Sequence, residues 1–156
     1  MGKGWKDVIL MKKKGIYAFV SVAVFLLIVA SFAQGSDIQA ATRAAEEKLK
    51  ANHFLLTEEI DEIYEKEQTP NVWDKIPANQ QKAIVAELKT AKEANTQKSL
   101  GFGLSIKDPL EQSIYQDVVL SNMMLKSSRE IAKKYGIKAA DVFMIELYLT
   151  MNWIRS

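Results

Sequence analysis

Ile16 to Ala33, IYAFVSVAVFLLIVASFA, is a run of 18 residues without a charge. No other feature of the chain narrows its fold as much. As a helix the run spans roughly 27 Å, close to the hydrocarbon thickness of a bilayer. Eleven of the 18 residues are Ile, Val, Leu or Phe, which together favour insertion by about 3 to 7 kcal/mol. A core helix of this length carries a polar stripe. Here no such stripe interrupts the run, and Ile16, Phe19, Val22, Phe25, Leu26, Val29 and Ala33 are the expected span residues.

Two membrane readings follow. One is a secretory signal cleaved after Ala33, where Ser31 and Ala33 form a small-x-small pair. The other is a retained anchor. The apolar middle exceeds the ~7–15 residues of a signal, so an anchor is expected. Five lysines precede the run (Lys3, Lys6, Lys12, Lys13 and Lys14), with Asp7 as the one acid among them. The positive-inside rule then keeps the N-terminus in the cytoplasm and carries the rest across the inner membrane, into a periplasmic or extracellular location.

The formal net charge of +2 hides this division. Without the tail, sixteen basic and eighteen acidic residues remain. Such a body has no overall attraction for polyphosphate. The chain has no cysteine, which excludes disulfides, thiolate metal sites and cysteine nucleophiles.

The remainder reads as helical. Ile38, Ala41, Ala45, Leu49, Leu56, Ile60 and Ile63 recur at helical steps. A break is expected at Asn52–His53, with a fresh start at the TEE of 57–59. Prolines mark 68–76 as a linker. A helix follows Pro77 with Ile84, Val85, Leu88 and Ala91 on one face. Residues 95–108 lose periodicity and read as a loop. Asp108, Pro109 and Glu111 make a helix start. That helix buries Leu110, Ile114, Val118 and Met124 or Leu125. Ser127 with Glu130 reads as a second start, and Gly136 as the stop. Residues 139–154 read as a helix, with a strand as the alternative because apolar residues also alternate there.

The expected fold is therefore all-α. It comprises a basic cytoplasmic tail (1–14), a single transmembrane helix (15–35), a helical neck (36–67), a linker (68–76) and a small helical bundle (77–156).

Residues 127–150 resemble the helix-turn-helix of small DNA-binding domains in the placement of Ile131, Ala132, Gly136, Ile137, Val142 and Ile145. The resemblance covers about 20 residues. It implies that Lys138, Ala139, Ala140, Phe143, Met144 and Leu147 face DNA. Base edges need donors and acceptors, and these residues offer almost none, so no nucleic-acid partner is expected.

No catalytic or cofactor site is expected either. His53 is the only histidine and lacks the partners of a metal or triad site. Glu58, Asp61, Glu62 and Glu65 form an acidic ridge that reads as a solvated helix face. The clearest positive signal is the apolar excess at Met123, Met124, Phe143, Met144, Leu147, Met151 and Trp153. These form the candidate partner surface. The expected function is a non-enzymatic, membrane-anchored accessory subunit whose partners are lipid and other subunits of an envelope complex. A secreted helical protein holding a small apolar ligand is the alternative.

Overall fold

The computed structural model describes residues 35–69 and 72–146. Every regular element among them is helical. In chain order these are α1 (Gly35–Ala51), α2 (Thr57–Glu67), the single turn α3 (Val72–Lys75), α4 (Ala78–Gly101) and α5 (Pro109–Tyr135). A further helix, α6, runs through 139–146. No strand occurs there, so the β alternative fails for 139–146. The basic tail and the expected span from Ile16 to Ala33 lie outside the described residues, as do Leu147, Met151 and Trp153. Among the described residues no helix is long and apolar enough to cross a membrane.

The spine is α5, about 40 Å long at 1.5 Å per residue. Helices α1, α2 and α4 all pack on it. Its start is fixed locally. Asp108 Oδ1 accepts from the amides of Leu110 (2.8 Å) and Glu111 (3.3 Å), and Pro109 fills the first helical position, where no amide is needed. Its end is equally local. Gly136 adopts φ 66°, which lets the Ile137 amide reach back to the Ala132 carbonyl at 3.0 Å. This is the left-handed closure that glycine favours. Helix α1 ends the same way, with the Phe54 amide on the Leu49 carbonyl at 3.0 Å. There the left-handed position belongs to His53, at φ 61°. The expected break at Asn52–His53 is thus a closed helix end, and α2 starts at Thr57.

Two apolar clusters share the spine. The first joins Ala41, Ala45 and Leu49 of α1 to Ile114, Tyr115, Val118 and Val119 of α5, with Ile106 beneath. The i,i+4 spacing of two alanines and a leucine makes a narrow stripe that allows close approach to a single partner helix. Lys48 pairs with Glu111 at this contact. Both helices of the 36–67 segment thus pack on α5. The second cluster is larger. It joins Ile60 and Tyr64 of α2, Ile84 and Leu88 of α4, the second half of α5, and Ala139 to Ile145 of α6.

Two expectations from local pattern give way. Residues 95–101 continue α4, because Asn95 and Ser99 extend the buried stripe of Ile84 and Leu88 with polar side chains. Asn95 Nδ2 donates to Ser127 Oγ at 2.9 Å and meets Met124 Sδ at 3.4 Å. Thr90 and Thr96 turn their hydroxyls back onto the Ala86 and Lys92 carbonyls, a satisfaction that keeps them within a helix. Ser127 is likewise no helix start. It sits inside continuous α5 as the acceptor for Asn95.

Candidate functional site

The expected partner surface divides. Met124 and Met144 are buried and belong to the larger core. Met123 and Phe143 are half-buried. Phe143 stacks on Tyr64 with ring centroids 4.1 Å apart and planes 16° apart. Leu147, Met151 and Trp153 are outside the described residues. Of the positions that helix-turn-helix geometry would offer to DNA, Ala139, Ala140 and Met144 are buried, Phe143 is half-buried and Lys138 is exposed. The corner packs Ile131 and Ala132 of α5 together with Ala139, Ala140, Val142, Met144 and Ile145 of α6 into the larger core.

Asp141 explains the orientation of α6. Its side chain is almost fully buried. It accepts from the Thr69 amide at 3.1 Å and from the Thr69 hydroxyl at 2.5 Å. One carboxylate thus ties the chain beyond α2 to the start of α6. Lys92 of α4 reaches Glu146 of α6 at 3.3 Å. Glu87 of α4 accepts from Lys134 Nζ and Tyr135 Oη, both at 2.5 Å, and those bonds hold its carboxyl below the usual carboxylate range.

The acidic ridge does not behave uniformly. Glu58, Glu62 and Glu65 are exposed, whereas Asp61 is half-buried. Its carboxyl is pushed up to about 6, mainly by desolvation and then by Glu58 and Glu65. Asp117 on α5 is also pushed up to about 6, by desolvation. Among the described residues no cation pairs with it, and no cluster of His, Asp and Glu able to hold a metal ion is found.

Two surface features stand out among the described residues. The first is a groove of about 390 Å³ beside the second half of α5. Leu55, Asn122 and Leu125 line it, together with Lys126, Arg129, Glu130 and Lys133. Asn122 builds its wall by clamping the turn before α2. Its Oδ1 accepts from the Leu55 amide and its Nδ2 donates to the Leu55 carbonyl, both at 2.9 Å. Lys126, Arg129 and Lys133 are exposed and fall at helical spacing along one edge. The sequence carried this signal as a basic triplet at steps of three and four, inside a stretch dominated by its helix-turn-helix spacing.

The second feature is the tip joining α4 to α5. Leu100, Phe102 and Leu104 are 50%, 40% and 70% exposed. Sequence reasoning read this stretch as a polar loop. The alternation Leu-Gly-Phe-Gly-Leu, bracketed by Lys98 and Lys107, was the signal available. The tip is braced from below. Gln116 Nε2 donates to the carbonyls of Leu100 (2.8 Å) and Phe102 (2.9 Å). Gln112 Nε2 donates to Gly103 O (3.0 Å) and, at longer range, to Ile106 O (3.4 Å). Phe54 meets the Phe102 ring edge-on at 5.7 Å. Gly103 has φ 72°, and a Cβ there would come within 2.9 Å of Tyr115 Cδ1.

No protein-family model, curated protein or solved structure matches this chain.

Proposed function

We propose that the chain is a non-catalytic accessory subunit. It is held in the cytoplasmic membrane by residues 16–33, with its N-terminus in the cytoplasm, and docks outside through its helical body onto a larger envelope complex. The uncharged run and the lysines before it support the anchor and its direction. The observation that carries the docking role is the α5 groove, where an apolar floor of Leu55 and Leu125 lies beneath the cationic edge of Lys126, Arg129 and Lys133. That combination suits an acidic amphipathic segment of another subunit, whose apolar side fills the floor while its carboxylates meet the edge.

The test is site-specific photocrosslinking in intact membranes from position 130, an exposed residue that lines the same groove. A discrete adduct with another membrane-fraction protein is expected. It should disappear when Lys126, Arg129 and Lys133 are all changed to Glu, with helicity and membrane retention unchanged. Identical adducts from the wild type and the charge-reversed chain would refute docking at this groove.

A further inference from the structure

The braced tip has a chemistry that the docking groove leaves unused. We propose that Leu100, Phe102 and Leu104 dip into the headgroup layer of the same bilayer that holds the anchor, as a second, shallow membrane contact. This rests on the anchored reading above.

Three observations carry it. The first is the bracing of the tip. Ser99 O accepts from the Phe102 amide at 3.0 Å, and Gly103 O accepts from the Ile106 amide at 2.9 Å. Gln116 serves Leu100 O and Phe102 O, and Gln112 serves Gly103 O. These bonds hold the loop in one shape with its apolar side chains outward, so little ordering entropy is lost when the tip meets a surface.

The second is position. Asp37, Ala40, Ala41 and Ala44 of α1 share one groove with Asp108, Pro109, Leu110 and Glu111. The start of α1 therefore lies beside the start of α5, and Leu104 is four residues from Asp108, a separation of at most ~14 Å along the chain. Ala33 and Asp37 are four residues apart, a reach of at most ~14 Å even when extended. A bilayer that holds 16–33 must therefore lie close to these helix starts.

The third is charge. Lys98 and Lys107 are exposed and bracket the three apolar side chains. Lysine stems can lie along an apolar surface while the ammonium stays with headgroup phosphates. The occupant that fits is a lipid interface, with a preference for anionic headgroups.

The absence of cysteine makes the test clean. Leu104→Cys in the full-length chain takes one environment-sensitive fluorophore at an exposed position without breaking any bond described above. Glu93→Cys, exposed in mid-α4, is the control. Both are reconstituted in vesicles of phosphatidylcholine alone and with phosphatidylglycerol. The label at 104 is expected to shift to the blue, to be quenched by lipids brominated near the headgroup, and to be shielded from aqueous iodide several-fold relative to 93. The shift is expected to be larger with the anionic lipid. Equal iodide access at 104 and 93 overturns the proposal. So does a shift that appears only after other membrane proteins are added, which would make the tip a protein contact. Flotation of the wild type with the vesicles is measured in parallel. A chain that floats while its tip stays in water disproves the tip contact alone, whereas a chain that does not float removes the anchor and the tip contact together.

Discussion

Asp117 gives the sharpest test of the packing. Its carboxyl is half-buried on α5, between the apolar Ile114 and Val118, and titrates near 6 against an ordinary 3.8 because burial disfavours its charged form. A rise of that size corresponds to ~3 kcal/mol of preference for the neutral acid. The carboxyl keeps an exposed edge, and solvent screening reduces the expected effect to about 1–2 kcal/mol. Below pH 3.8 the folded and unfolded chains both hold the proton, and the group costs nothing. Between pH 4 and 6 the unfolded chain releases its proton first, so this contribution to stability falls as pH rises. Above pH 6 the full penalty stands. Asp117→Asn keeps the shape and removes the charge. The variant should match the wild type at pH 3.5 and melt about 3–10 °C higher at pH 7.5, measured by circular dichroism at 222 nm in mild detergent. A variant less stable than the wild type at pH 7.5 would refute the reasoning, because it would mean that the ionised carboxylate is the stabilised form.

Four further outcomes are expected from chemical denaturation of the full-length chain. His53→Gly should stabilise by about 1 kcal/mol, because it relieves a left-handed backbone that glycine adopts freely; Gly136→Ala should destabilise by a similar amount. Gly103→Ala should cost more than Gly136→Ala, because the same backbone penalty is joined by the 2.9 Å approach to Tyr115, whereas a Cβ at Gly136 meets open space. Asn122→Ala should cost about 1–3 kcal/mol by leaving the Leu55 amide and carbonyl without their clamp, with a matching rise in protease cleavage near residue 55.

Legibility in the sequence followed the range of the interaction that decides each feature. Asp108, Pro109 and Gly136 marked the ends of α5 because their capping is complete within a few residues. The break after Ala51 was visible for the same reason. The extension of α4 to Gly101 was not, because Asn95 and Ser99 are buried by a partner helix some 30 positions away. Ser127 has the spacing of a cap, and only Asn95 shows that it is an acceptor in mid-helix. Met124 and Met144 read equally well as core or surface from composition, and packing against α4 and α2 decides for core. The loop at 102–108 was legible, but its exposed apolar side chains were not, because their alternation was too short to register as periodic. The basic edge at 126, 129 and 133 was present as spacing alone, while the apolar floor beneath it depends on Leu55, far back in the chain.

The two cores threaded on one helix set how this body responds to mechanical load. Tension entering at Gly35 is borne first by the alanine stripe of α1, the smaller of the two contacts. Peeling α1 away exposes the upper half of α5 but leaves α2, α4 and α6 clasped around the lower half. Amide exchange under such a pull would accelerate across 37–51 and 110–119 well before it did across 84–95 and 124–132, so the domain yields in two stages and keeps its groove through the first.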